Sequence, residues 1–362
     1  MGTGGHPGVR QRSTVLVTDD INGQNRGALA TVRALAGTRH KAVVTVADRP
    51  SLAAASRYCA GTVPVPSGGG PGYAAALRRE LDTDRHHLFF PASDVALISV
   101  GAAAAELVDK AELDRRARAA GFESLPTEVF GSAAALHEAA EGFDYPVVVK
   151  SATKSGLGNL QALTAASAAD LQSALGDVPG RLVVQPLDRS PLRAVSGVVH
   201  DGELVAVCHQ EYRRIWPPAA GVASAAVTVV GDRSLEQPLA RLLADHQGVF
   251  QVQFLGRYLL DVNPRVYGSM ALAVGAGANL PLLACEVAAG RLPTQVVRAR
   301  PGVHYRWWEG DMRHVLHGLR TGRLGATGAV RALRPHRVES VLAPGPMLSR
   351  IAGRVRRSGG PP

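Results

Sequence analysis

One stretch of the chain, YLLDVNPRVYGSM (258–270), sets an acid, an amide and a guanidinium on alternating positions: Asp261, Asn263 and Arg265. A strand sends alternate side chains to one face, so all three can address the same object. Pro264 has no N–H for a sheet ladder and marks the strand's end. Carboxylate and amide oxygens are donors that Mg²⁺ takes beside substrate phosphates. A guanidinium beside them can hold a carboxylate or a phosphoryl group in transfer. Lysine usage points the same way. Of 40 basic residues only Lys41, Lys110, Lys150 and Lys154 are lysines. In so arginine-rich a chain, a retained lysine suggests a need for a compact point charge. Lys150 ends an apolar run, YPVVVK, and Lys154 sits in the small-residue loop SATKSGLGN. Such loops let backbone N–H groups approach phosphate oxygens. The G-x-x-x-x-G-K-[ST] spacing is absent, so any phosphate cradle is of another kind. VVQPL (183–187) reads as a strand whose exposed backbone could face an adenine edge.

The elements that must position these residues follow from pattern and turn chemistry. STVLVTDD, KAVVTVAD, GTVPVPS and HHLFFPASD read as strands, with helices over 25–36 and 73–81 between them. That alternation predicts an open parallel α/β unit. Thr18, Asp19 and Asp20 close its first strand, where such sheets bind ligands. The glycines of DDINGQNRG are wrongly spaced for a dinucleotide fingerprint. Residues 102–120 read as helix ending at Gly121. LPTEVF, YPVVVK, LQALTA and RLVVQPL then read as strands, with helices over 133–141 and 168–175, in an α+β unit. Asp201-Gly202 between alternating runs is a hairpin signal. GVFQVQFLGRYLLDVN is a second hairpin, turning near Gly256-Arg257. Helices are expected over 234–247, 269–274, 281–289 and 310–319.

In that order the motifs resemble the ATP-grasp superfamily, which includes D-alanine–D-alanine ligase and biotin carboxylase. The resemblance covers roughly 14–290. It implies a pre-ATP-grasp α/β domain at 13–105, a lid and central subdomain at 106–187, a C-terminal subdomain with the metal site at 188–300, and a basic tail at 301–362. DKAELDRRARAAGFESLPT supplies the first nucleotide lysine, Lys110, and YPVVVK the second, Lys150. The phosphate loop carries Lys154, Ser155 and Gly156. In the hinge, Gln185, the Pro186 carbonyl and the Leu187 N–H are expected to face the base. LLDVNPRVYGS is similar to the family's metal strand, so Gln253, Asp261 and Asn263 are the implied metal ligands. Arg265 and one of the adjacent pair Arg213 and Arg214, with Arg214 favoured, are the implied catalytic cations. The family normally has an acid where QVQF puts Gln253; an amide can coordinate but removes a charge, and Glu211 is a possible compensating donor. The implied activity is ADP-forming carboxylate–amine ligation with ATP and Mg²⁺, on a small acid or amino acid and an amine. The alternatives are a bicarbonate-using carboxylase-type enzyme and an ATP-binding protein with little turnover. Specificity is expected at 19–23, at Ser93 and Asp94, and in the loop 213–221.

The totals bound the rest. A chain of 362 residues with 46% hydrophobic content suffices for two or three packed units. No apolar window long enough for a membrane span is present. MGTGGHPGVRQR lacks the apolar core of a signal peptide and reads as a frayed extension. Cys59, Cys208 and Cys285 lie far apart, which argues for a reducing cytoplasm and against a disulfide framework or a zinc site. The net charge of +10 is concentrated after Pro301, where eleven arginines face three acids. Few aromatics interleave with them, which disfavours nucleic acid as a partner. A homodimer is allowed.

Overall fold

The computed structural model of the chain describes residues 14–19, 21–153, 160, 162–218, 220–332 and 338–340. The fold is mixed α/β, with a parallel sheet leading into two further sheets. Strands β1 (Thr14–Thr18), β2 (Lys41–Val46), β3 (Gly61–Pro64) and β4 (His86–Phe90) form the parallel sheet in the order β3-β2-β1-β4. Val15, Leu16 and Val17 of the inner strand β1 are fully buried, as a near-continuous apolar run predicts. Helices α1 (Arg26–Ala34), α2 (Tyr73–Leu81) and α3 (Asp94–Ser99) accompany it. The Asn25 side chain caps α1 and Ser93 caps α3, satisfying N–H groups that a first turn leaves unpaired.

Residues 102–120 do not form one helix. A 3₁₀ segment, Ala103–Val108, gives way at Asp109 to α4 (Lys110–Ala120). Asp109 is extended, and its side chain accepts the Ala111 N–H, so the aspartate starts a new helix instead of continuing an old one. Gly121 closes α4 in the left-handed conformation. The break makes Lys110 the first residue of α4, and its N–H donates to the Ala152 carbonyl at 2.9 Å.

After the two-residue strand β5 (Glu123–Ser124) comes a second, antiparallel sheet, which falls in the segment expected as the lid and is labelled the lid sheet: β6 (Glu128–Phe130), β7 (Val147–Ser151), β8 (Leu163–Ala165) and β9 (Leu182–Pro186), ordered β6-β9-β7-β8. Helices α5 (Ala133–Glu138) and α6 (Ala168–Ala174), each capped by a serine, bury Leu136 and Leu171 against Val147, Val149, Leu182 and Val184.

The largest sheet contains β10 (Leu192–His200), β11 (Glu203–Trp216), β12 (Val222–Thr228), β13 (Gly248–Leu255) and β14 (Tyr258–Asn263). Short strands β15 (Val297–Arg298), β16 (His304–Arg306) and β17 (Val338–Glu339) complete it, and β5 pairs with β14 at its other edge. Asp201 and Gly202 both have positive φ, so the β10–β11 hairpin turns where the sequence predicts. Helices α7 (Glu236–Leu242), α8 (Met270–Gly275) and α9 (Leu280–Ala288) follow the chain order. The segment expected as a basic tail is folded in its first part: β16, α10 (Trp308–Arg320) and α11 (Ala326–Ala332) belong to the body. Apolar residues of α1, β1 and β2 share one core with Val266, Met270, Leu280 and Cys285, so the parallel unit is packed onto the large sheet's helices. Among the described residues no helix is long and apolar enough to cross a membrane.

Candidate functional site

A cleft of about 1060 Å³ lies between the lid sheet and the large sheet. Strand alternation builds both walls. On β14, Asp261, Asn263 and then Arg265 all line it, and Gln253 and Gln251 of β13 stand opposite Asp261 and Asn263. On the lid side, Val148 and Lys150 of β7 and Gln185 of β9 face the same space. Among the described residues six basic side chains (Arg26, Lys110, Lys150, Arg189, Arg265 and Arg323) line the cleft against two acids, Asp188 and Asp261. Such an excess of positive charge draws in anions.

Lys110 Nζ reaches Asp261 Oδ1 at 3.2 Å from a buried position. Burial works against its charge, but Asp261 and then Asp94 more than offset this and raise its pKa. Arg265 donates to Asp94 Oδ1 at 2.5 Å, to Asn263 Oδ1 at 2.7 Å and to the Val266 carbonyl at 3.1 Å. Asp94 sits in the first turn of α3, so the parallel unit supplies the carboxylate that holds this arginine. Lys150 Nζ lies 3.4 Å from Gln185 Oε1, and Gln185 Nε2 donates to Thr127 Oγ1 at 2.9 Å. Gln253 Nε2 donates to Gln251 Oε1 at 3.2 Å, which directs its oxygen to other partners. Gln251 and Gln210 both donate to Ser269 Oγ, at 3.3 and 3.2 Å.

One carboxylate and two amide oxygens, from Asp261, Asn263 and Gln253, suit a single Mg²⁺ whose remaining positions are filled by phosphate oxygens and water. Lys110 and Lys150 line the same cleft as these oxygens.

Several expected residues lie elsewhere. Arg214 does not line the cleft: its guanidinium is locked onto Asp311 at 2.6 and 3.0 Å, and Asp311 is buried. Arg213 pairs with Glu211 at 3.2 Å and is exposed. Glu211, held by Arg213 and by Arg193, is likewise not beside the metal donors. Leu187 lines the cleft, but its N–H donates to the Pro146 carbonyl at 2.9 Å and is not directed at a base. Asp19 is a fold residue, accepting from the Asn25 and Ala53 N–H groups and from Ser51 Oγ. Lys154, Ser155 and Gly156 fall outside the described residues. Of the expected specificity loop 213–221, Ile215, Trp216, Pro217, Pro218, Ala220 and Gly221 line the cleft.

The sequence reading missed Arg26, Tyr212, Gln251 and Trp307 as cleft residues. Arg26 donates to Tyr305 Oη at 2.9 Å and lies 4.0 Å above the Trp307 ring. Burial raises the Tyr212 phenol's pKa, so it faces the cleft as a neutral hydroxyl. For Gln251 a signal existed: it alternates with Gln253 in GVFQVQFL.

No curated protein matches the chain in sequence. A family model described as ATP-grasp in the biosynthetic pathway with Ter operon matches residues 235–311, which span α7 to the start of α10 and include the β13–β14 hairpin. The fold is similar to carboxyaminoimidazole ribonucleotide synthase from Aspergillus clavatus complexed with ATP, at 18% identity and TM-score 0.59 over 80% of each chain. It is similar to N5-carboxyaminoimidazole synthetase from Staphylococcus aureus, at 14% identity and TM-score 0.57 over 81% of this chain and 80% of that one. It is also similar to L-amino acid ligase from Bacillus licheniformis, at 12% identity and TM-score 0.57 over 79% and 76%. With that local match over the β13–β14 hairpin and that likeness over most of the architecture, the chain has the ATP-grasp fold.

Proposed function

We propose that the protein is an ATP-dependent, ADP-forming ligase that joins a small carboxylate to an amine through an acyl-phosphate. One observation carries this reading: two lysines from different elements, Lys110 and Lys150, line the same cleft as the Asp261, Asn263 and Arg265 face of β14. A cleft so lined suits a triphosphate held end-on with its terminal phosphoryl group at the β14 face. Lys150 would bind the nucleotide phosphates beside the lid. Lys110 would turn from Asp261 toward the phosphates when a metal takes the carboxylate. Asp261, Asn263 and Gln253 would hold Mg²⁺, which neutralises charge on the phosphoryl group in transfer. Arg265, held by Asp94, would orient the acceptor carboxylate so that its oxygen attacks the terminal phosphorus and ADP leaves. The amine then displaces phosphate from the acyl carbon. No side-chain nucleophile is required, because positioning and charge neutralisation carry such a reaction. The fold's likeness to a synthase complexed with ATP and to an amino acid ligase supports both nucleotide and substrate class.

The second reading is an ATP-binding protein with little turnover, and the neutral Gln253 opposite Asp261 favours it. A screen of acids and amines scored by ADP and phosphate release separates the two: release that depends on both an acid and an amine supports ligation, and binding of Mg-ATP without release supports the second. Lys150→Ala is expected to weaken Mg-ATP binding at least about tenfold, roughly 1.4 kcal/mol. Calorimetry showing unchanged affinity in a folded variant would remove Lys150 from the nucleotide site.

A further inference from the structure

Three groups outside the cleft meet where the parallel sheet abuts α9. His40 immediately precedes β2, His87 lies in β4 and Cys285 lies in α9. Each offers a ligand atom, and these atoms lie within 4.8 Å of one another. The two imidazole rings are 4.9 Å apart between centroids. His40 and Cys285 are buried, at 3% and 0% exposure.

The hydrogen bonds around the rings dictate where their lone pairs are. His40 Nε2 lies 2.9 Å from Glu286 Oε1, with Arg39 Nε farther off at 3.4 Å. A carboxylate accepts only, so Nε2 carries the proton and Nδ1 of a neutral ring carries the lone pair. His87 Nδ1 lies 2.8 Å from the Thr14 carbonyl, which also accepts only, so the lone pair of its neutral ring is on Nε2. Burial, the largest influence, lowers the His87 pKa and keeps that ring neutral. Among the described residues His40 Nδ1 and His87 Nε2 are both buried and without a hydrogen-bond partner. Two desolvated lone pairs beside a thiol are costly to leave unsatisfied. A cation removes the cost.

We propose that His40 Nδ1, His87 Nε2 and Cys285 Sγ bind Zn²⁺, with water as the fourth ligand. Two imidazoles and a thiolate suit this borderline-soft ion. The Glu286–His40 and Thr14–His87 contacts are the outer hydrogen bonds that orient zinc-bound imidazoles. Tetrahedral bonds of about 2.0–2.3 Å put ligand atoms roughly 3.3–3.6 Å apart, so modest side-chain rotation closes the site. Cys285 Sγ binds as the thiolate, so uptake of the ion releases its proton to solvent. The ion ties β2 and β4 of the parallel unit to a helix of the large sheet. The sequence hides it because the ligands are separated by most of the chain.

The test uses the full chain stripped with a chelator and re-equilibrated with Zn²⁺ or, as a spectroscopic probe, Co²⁺. Elemental analysis is expected to give about one tightly held Zn²⁺ per chain, and Co²⁺ an intense near-ultraviolet thiolate charge-transfer band. Cys285→Ala, which removes a ligand without adding bulk, and His87→Gln should each lose the band while circular dichroism shows a folded chain. Asp261→Asn should keep it, since an ion in the cleft has only oxygen ligands. If either ligand variant misfolds, the melting temperature of the unmodified chain decides: Zn²⁺ is expected to raise it by binding the native state. Absence of bound Zn²⁺, Co²⁺ uptake without the thiolate band, or a band that survives Cys285→Ala would overturn the site.

Discussion

Gln253 is the residue on which the chemistry of the cleft turns. It stands opposite Asp261 where an acid would add a second negative charge. Its amide nitrogen belongs to a run of polar contacts through Gln251 and Ser269 to Gln210. Under the proposed function, metal charge would therefore be balanced by one carboxylate, Asp261. Asp261→Asn is expected to abolish ADP formation while keeping an acceptor for buried Lys110, so its melting temperature should fall less than that of Asp261→Ala. Gln253→Glu is expected to lower the Mg²⁺ concentration for half-maximal rate. Turnover by Asp261→Asn at the parent rate, with an unmoved Mg²⁺ dependence in Gln253→Glu, would place the metal elsewhere. The alternation at 261, 263 and 265 was legible because strand period is a local property. Arg214 was misread for the converse reason. The β11–β12 register shifts on both sides of it, so alternation does not carry through the bulge and its guanidinium meets Asp311 instead of the cleft.

At the scale of elements, structure was readable where adjacent residues set it. The Asp201-Gly202 turn, the Gly121 stop on α4 and an α10 over roughly 310–319 are of that kind. Asp109 shows the limit: by propensity it continues a helix, by its hydrogen bond it begins one. The attachment of α10 was not readable, because Arg214 and Ser224, which hold Asp311 onto the large sheet, lie far from it in the chain. Asp311 is 1% exposed and meets Arg214, buried Arg306 at 3.1 Å and Ser224 Oγ at 3.5 Å. Removing one member of such a buried pair strands the other's charge, typically at about 3–5 kcal/mol. Asp311→Ala is thus expected to lower stability on that order in denaturant titration. Arg214→Ala should also destabilise, and the double variant should lose less than the sum of the two single variants, since both delete the same contact. Per folded molecule, Arg214→Ala should retain ADP formation. Loss of turnover in a fully folded Arg214→Ala would return that arginine to the catalytic machinery.

The whole molecule must hold three sheets in register around one cleft, and the first turn of α1 is where the parallel unit meets the β14 face. Asn25 Nδ2 donates to the Ala92 carbonyl at 2.5 Å while its oxygen caps the helix. Arg26 extends into the cleft beside Trp307. Gly27 lies directly on the backbone after the metal-donor strand: a Cβ there would fall 2.7 Å from the Tyr267 carbonyl oxygen and 2.9 Å from its nitrogen. Backbone cannot rotate out of the way as a side-chain tip can, so an alanine has to push α1 off the Tyr267 segment. No sequence pattern announces such a contact, because glycine at the second position of a helix reads only as a weak helix former. Overpacking of this kind typically costs about 1–3 kcal/mol. Gly27→Ala should also carry Arg26 away from the acceptor end of the cleft while leaving Lys150 and Gln185 undisturbed on the lid. The expected result is a lower melting temperature together with a raised KM for the acid and an unchanged Kd for Mg-ATP. Equal losses for both substrates would mean that the junction sets the whole cleft, and no loss for either would mean that α1 can move without the site.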